Sequence, residues 1–316
     1  MSSSADQADR PSSSAPGKIL LCGEYVVLDG AQAIVMAVNR RAYGHVSNEA
    51  QELSPFLAAV RDQVEDTTEI DRMVIDTSEL YDDAGVKLGL GSSAAATVVA
   101  TAISLETSDR PLIHEVAHRA HRIAQEARGS RGSGADVAAA VHGGILIVQQ
   151  QPDNEDAPLK FQRTFLPPEL SLICVWTGNP ADTPSLVARV RELRAERPDD
   201  YATVAARIAG AAARTVEAFG KTGNAQRVVE ALGAGGEAIE ALGQAAGVEL
   251  WTKAHSRIRG LIEPLGATVK PTGAGGGDIA LIALADPEAE DEVRERLRSG
   301  GIEPMDLSVD RNGVVL

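Results

Sequence analysis

Along the first half of the chain, short apolar runs alternate with glycine-rich or charged segments, and along much of the second half apolar residues recur at helical spacing. The runs at residues 19–22, 33–38, 42–46, 144–149, 172–176 and 279–283 have strand length and are rich in Ile, Val and Leu, so they predict strands. Shorter strands are expected at 73–75, around Val269 and at 304–309. The connector 24–30 ends in Asp29-Gly30, a strong turn signal, and Asp82, Asp83 and Gly85 predict a second surface turn. Residues 92–103 form the clearest helix: nearly all apolar and Ala-rich, they call for burial on most sides. Pro111 favours the first turn of a second helix running to 127, and a further apolar stretch covers 138–141. Helical spacing marks 185–194, 201–218, 225–241, 250–262 and 287–297.

This is not a regular βαβ repeat. The pattern predicts an α+β protein in two parts, 15–160 and 161–316, with order beginning near Pro16 and a polar, Ser-rich tail over 1–14 expected to be disordered. The polar segment 149–160 reads as a hairpin tip or as the boundary itself.

Composition narrows the function classes. A formal charge of −15 argues against a nucleic-acid partner, although a local cluster of cations and backbone N–H groups can still hold an anion. No apolar run is long enough to span a membrane, and the tail lacks the apolar core of a signal peptide, so a cytoplasmic protein is expected. Cys22 and Cys174 sit far apart in apolar runs and read as buried thiols. His114, His118 and His121 share a helical face, but with Glu115, Arg119 and Arg122 beside them they read as part of a half-solvated amphipathic helix rather than a zinc site.

The candidate chemistry lies in three glycine-rich loops. In the first, Gly89-Leu90-Gly91-Ser92-Ser93-Ala94, glycines allow close backbone approach and the serines open a helix, where N–H groups and the helix dipole favour an anion. A capped, buried helix start is the plain alternative. The loop is not a Walker A sequence, because no Lys-Ser or Lys-Thr pair follows the glycines. In the second, Arg128 to Asp136, the carboxylate is either a helix cap or a group that orients or deprotonates a hydroxyl. The third, Gly273 to Asp278, runs three glycines together between two apolar strands; it is a tight turn or a ligand-binding backbone. Lys18, just before the first strand, could offset charge beside Asp136.

Three segments, Pro16-Gly-Lys-Ile-Leu-Leu-Cys-Gly-Glu24, Gly89-Leu-Gly-Ser-Ser-Ala-Ala95 and Gly273-Ala-Gly-Gly-Gly-Asp278, occur in the order found in the GHMP kinases. That family groups galactokinase, homoserine kinase, mevalonate kinase and phosphomevalonate kinase, and the chain resembles it over almost its whole length. The resemblance implies an amino-terminal domain like the second domain of a ribosomal protein, a ferredoxin-like carboxyl-terminal domain and an active site in the cleft between them. It implies ATP and Mg²⁺, a small phosphate or alcohol acceptor, and a monomer or homodimer.

By the family pattern, residues 89–94 would hold ATP, with Ser92 near the phosphates and Ser93 on the metal. Asp136 would be the catalytic carboxylate, Lys18 its charged partner and Glu126 a second metal ligand. The acceptor would be held by Lys87, Arg128, Arg131, Gly132, Ser133, Gly134, Gly275 and Gly276. Within the family, Gly23-Glu24-Tyr25, Lys87-Leu-Gly-Leu-Gly91 and Gly132-Ser-Gly-Ala-Asp136 resemble the phosphomevalonate kinase branch, with mevalonate kinase next and mevalonate diphosphate decarboxylase or a non-catalytic ATP-binding protein further off.

Overall fold

The computed structural model describes residues 12–65, 69–151, 154, 156–220 and 223–316. Its first sheet is antiparallel and built on two long strands, β1 (Ser12–Cys22) and β2 (Ala33–Val46). The second half of β2 pairs with β3 (Met73–Asp76) and its first half with β4 (Ile145–Gln149), which in turn pairs with β5 (Lys160–Thr164). Both faces of β2 are covered, which explains its unbroken apolar run. Ile34, Met36 and Val38 enter the largest core, whereas Val35 and Ala37 pack with Ala135, Ala138 and Ala139 of a short helix described below.

Four helices accompany this sheet: α1 (Pro55–Arg61), α2 (Ser92–Leu105), α3 (Arg110–Glu126) and α4 (Ala135–His142). As its composition predicts, α2 is buried almost throughout, in contact with β1, β2 and the other three helices.

The second sheet has the order β7-β8-β6-β9, formed by β6 (Ser171–Trp176), β7 (Thr268–Pro271), β8 (Ile279–Leu284) and β9 (Pro304–Met305). Between β6 and β7 run α5 (Thr183–Glu196), α6 (Pro198–Ala218), α7 (Ala225–Ala246) and α8 (Lys253–Ile262), and α9 (Glu290–Ser299) follows β8. Strand β8 again buries both faces. Ala280, Ile282 and Leu284 pack with Ile258, Ile262, Val293 and Leu297, while Ile279, Leu281 and Ala283 join the large core that also holds Ile19 and Leu21 of β1. The two sheets are therefore joined by shared apolar packing rather than by a solvated linker.

Several boundaries differ from the sequence reading. Ser12 to Ser14 of the expected tail are in strand, pairing with His45, Gly44 and Tyr43, and Ser14 also bridges Val315; the rest of that tail, 1–11, lies outside the described residues. The expected strands at 33–38 and 42–46 are one strand. Of the polar residues between them, Arg41 binds Ser14, Asp310 and the Gly313 carbonyl, Asn39 binds Ser308, and Arg40 donates to the Glu79 carbonyl. Residues 308–316 thus return to the first sheet, where Val309 bridges Val38, and only Pro304–Met305 of the expected last strand joins the second. Strand β5 also belongs to the first sheet, so the change of sheet falls between Thr164 and Ser171. Cys22 and Cys174 are buried free thiols, as expected.

One buried ion pair links the two sheets. Lys270 on β7 donates to the Glu24 carboxylate just after β1, and both side chains are 1% exposed. Lys270→Met would leave Glu24 buried without a counter-charge, at a cost of about 3–5 kcal/mol. Urea denaturation is expected to show a stability loss of that order, and recovery of part of it when Glu24→Gln is added.

Candidate active site

Strand β1 delivers Lys18 to the centre of the site and fixes the first glycine loop with the same residue. The Lys18 backbone N–H donates to the Leu90 carbonyl at 2.8 Å, and its ammonium donates to the Gly89 carbonyl at 3.1 Å. Gly89 and Gly91 have φ of 77° and 80°, a conformation that strains other residues. Space is short as well: a Cβ on Gly91 would stand 3.1 Å from Lys18 Cγ and 3.7 Å from Asp136 Cβ, and one on Gly89 would stand 2.6 Å from an Asp278 carboxylate oxygen. These contacts bring Lys18, Asp136, Asp278 and the Gly89–Gly91 backbone together.

Gly91 caps α2 without a side-chain bond, so no side chain caps the N–H groups of the first turn, at Ser92, Ser93 and Ala94. Ser92 is buried and Ser93 half-buried. The cradle fits a polyphosphate: backbone donors at a helix N-terminus, no Cβ in the way, and a lysine at its edge.

Asp136 is the second residue of α4, after Gly134 at φ 82°. One of its carboxylate oxygens accepts the Val137 N–H at 3.0 Å. The position of Gly134 is set by His118, whose ring atoms lie 2.6 Å from where a Cβ would be. Gly132 donates to the Gln125 side chain at 2.9 Å, and the Ser133 hydroxyl accepts the Ala135 N–H at 3.3 Å, so both residues shape the loop.

Burial pushes the Lys18 ammonium below the ordinary lysine value, against the opposing pull of Asp136 and Asp278. Burial likewise raises the Asp278 carboxyl, against the Ala181 N–H bond at 3.0 Å and the charges of Lys18 and Lys87. Lys87 is exposed, yet its charge acts on Lys18, Asp278 and His121, which puts it at the rim of this site.

The third loop reaches the site through Asp278, held at φ 51° with its backbone bonded to Thr177 and Asn179. Gly275 and Gly276 are closely packed: a Cβ would lie 2.8 Å from the Leu250 carbonyl at the first and 2.5 Å from Leu186 at the second. Tyr25 ties the loop to β1 by donating to the Ala274 carbonyl at 2.6 Å.

Arg128 lies over the Phe56 ring, 5.6 Å from its centroid, and Arg131 is 3.7 Å from the Asp156 carboxylate. Glu126 is exposed in the last turn of α3. The α3 face defined by His118, His121 and Gln125 points about 100° away from it at 3.6 residues per turn. The reading of the histidines as half-solvated is also overturned: His114, His118 and His121 are 5%, 6% and 2% exposed. Packing of α3 against α1, α2 and α4 buries the face they share with Ile113, Ala117, Ala120 and Ala124. Burial holds His114 down to about 3 and His118 to about 4, and lowers His121.

His121 Nε2 is 3.3 Å from Ser93 Oγ, and the sequence reading gives neither His121 nor Asp278 a role in the site. The Gly-Gly-Gly-Asp ending pointed to Asp278; for His121 the only signal was its place on one helical face with His114 and His118. Among the described residues, no three His, Cys, Asp or Glu side chains gather as a metal cage. A hard cation would fit only in company with phosphate oxygens, Ser93 adding one hydroxyl.

Residues 57–144 match the GHMP kinases N terminal domain. The phosphomevalonate kinase of Saccharolobus solfataricus is 30% identical over 326 residues, covering 94% of this chain and 96% of that one. The mevalonate kinase of Thermococcus gammatolerans is 28% identical over 350 residues, covering 95% and 96%. The crystal structure of Streptococcus pneumoniae phosphomevalonate kinase in complex with phosphomevalonate and AMPPNP superposes with a TM-score of 0.77 at 16% identity, over 95% of this chain and all of that one, and so shares the fold. With the three glycine loops converging on Lys18 and Asp136, the chain belongs to the GHMP kinases and is an ATP-dependent small-molecule kinase.

Proposed function

We propose that the chain transfers the γ-phosphoryl group of ATP to 5-phosphomevalonate, giving 5-diphosphomevalonate. The observation that carries this reading is the meeting of Lys18, Asp136 and the uncapped N-terminus of α2 at one point. Similarity to phosphomevalonate kinases over nearly the whole chain supports the choice of acceptor, as does the Glu24-Tyr25 pair, whose hydroxyl holds the Ala274 carbonyl. The mevalonate kinases at 28% identity make mevalonate the rival acceptor.

The chemistry follows from what each group holds. Backbone N–H groups at residues 91–94 bind ATP phosphate oxygens along the α2 dipole. Lys18, fixed by the Gly89 carbonyl, offsets charge on the transferring group. Mg²⁺, with Ser93 as its protein oxygen, would neutralise charge on the ATP phosphates. A phosphate acceptor is largely ionised near neutral pH, with a second pKa of about 6, so it needs no strong base. Asp136 then positions the acceptor and Lys18 rather than removing a proton. Lys87, at the rim, adds a cation for the entering anion.

An ADP-release assay offering mevalonate and 5-phosphomevalonate separately tests the acceptor. Phosphomevalonate is expected to give the higher kcat/KM by about tenfold or more, a gap of ~1.4 kcal/mol in transition-state stabilisation. A preference for mevalonate overturns the assignment, and release of CO₂ would mark a decarboxylase instead.

Asp136→Asn should lower kcat by about tenfold or more, yet by less than the ~10²–10⁴-fold of a lost general base. Unchanged turnover removes Asp136 from the reaction.

Because burial lowers the Lys18 pKa, its charge is lost at a lower pH than an ordinary lysine's. The profile of kcat/KM should therefore fall on the alkaline side below the usual lysine range, and Lys18→Arg should move that limb to higher pH.

Gly89→Ala puts a methyl group against Asp278 at positive φ, a strain of roughly 1–3 kcal/mol. Its ATP affinity, measured by calorimetry, should fall by about tenfold or more, with acceptor affinity less affected.

A further inference from the structure

Helix α3 carries two carboxylates. Glu115 pairs with Arg119 on the outer face, and Glu126 is exposed at the helix end. The α3 side chain that does meet Ser93 is His121, with Nε2 3.3 Å from the hydroxyl oxygen.

Its ring is held in place on more than one side. His121 is 2% exposed and stacks on Phe56 of α1, with centroids 5.1 Å apart and planes 24° apart. The guanidinium of Arg128 lies over the Phe56 ring, 5.6 Å from its centroid. Ser93 is fixed from its backbone, since its carbonyl accepts the Thr97 hydroxyl at 2.8 Å. Both ends of the Ser93–His121 contact are therefore set by packing before any ligand arrives.

A serine hydroxyl that serves a cation must present a lone pair to it and send its own proton elsewhere. Cation binding polarises the O–H bond and makes that proton a stronger donor, so the site gains from an acceptor on the far side of the oxygen. A neutral imidazole supplies one: with Nε2 accepting, the ring proton resides on Nδ1.

We propose that His121 is a positioning residue for Ser93, accepting the hydroxyl proton so that the oxygen lone pairs face the Mg²⁺ that accompanies ATP. The proposal rests on the reading of Ser93 as the cation-binding hydroxyl, but not on which acceptor is phosphorylated. It also gives this buried histidine a task that packing alone would leave to leucine or phenylalanine.

The test is equilibrium binding of AMPPNP, in EDTA and across a Mg²⁺ titration. For His121→Leu the Mg²⁺ concentration giving half of the metal-dependent gain in affinity should rise about 10–100-fold, the usual effect of losing a group that orients a metal ligand. Affinity in EDTA should stay within about twofold of wild type, since nucleotide contacts of the α2 backbone are untouched. His121→Gln, whose amide reaches the ε position, should restore most of the Mg²⁺ response, whereas the shorter His121→Asn should not. Ser93→Ala should reproduce the His121→Leu defect.

A wild-type Mg²⁺ response in His121→Leu, or an equal loss of affinity in EDTA and in Mg²⁺, overturns the role of His121. If His121→Leu does not fold, the Gln and Asn variants decide, and equal behaviour of the two overturns the proposal. A normal Mg²⁺ response in Ser93→Ala removes the cation role of Ser93, and the proposal with it. An impaired Ser93→Ala beside an unimpaired His121→Leu leaves that role standing and rejects the histidine alone.

Discussion

The buried pair of Glu24 and Lys270 is the constraint on which the arrangement of the site depends. Glu24 stands six residues after Lys18 on the segment that leaves β1, and Lys270 lies on the strand that opens the Gly273–Asp278 loop. Neither group is stable alone in an apolar interior, so the segment after β1 and strand β7 are held together. Lys270 also donates to the Pro271 carbonyl of its own strand at 2.6 Å, and Tyr25, next to Glu24, donates to the Ala274 carbonyl, so the loop is tied to the segment after β1 beside the ion pair. With that relation fixed, Asp278 comes to rest against Gly89 and beside Lys18.

The site handles anions on a chain of charge −15 by keeping its positive groups local. Lys18 is surrounded by the Gly89 carbonyl, Asp136 and Asp278, which hold a buried ammonium in place while burial lowers its pKa. The remaining positive potential comes from backbone N–H groups at the start of α2 and from Lys87 at the rim. Oriented backbone dipoles need no counter-ion and no rearrangement when charge develops on a phosphate, which suits a phosphoryl-transfer site.

Helix α3 separates local from tertiary information. Its histidines recur at helical spacing beside Glu115, Arg119 and Arg122, and that local pattern reads as a wetted face. Contact with α1, α2 and α4 instead buries the histidines and leaves Glu115 and Arg119 exposed. His114 Nδ1 then meets His142 Nε2 of α4 at 3.0 Å, His118 packs on Gly134, and His121 meets Ser93. Glu126, one residue beyond the half-buried Gln125, is turned about 100° from it around the helix and is exposed.

The sequence by itself determined the three glycine loops, the buried helix at 92–103, the strands on either side, and the residue types that hold phosphate and transfer it. These were legible because glycine backbone freedom, Ala-rich helix packing and apolar strand runs act over a few neighbouring residues. Only the tertiary structure decided that Asp278 abuts Gly89, that Glu24 pairs with Lys270 across 246 positions, that residues 308–316 return to β2, and that His121 meets Ser93. Each of those outcomes depends on where a distant strand or helix is packed. Short-range pattern carries no record of that.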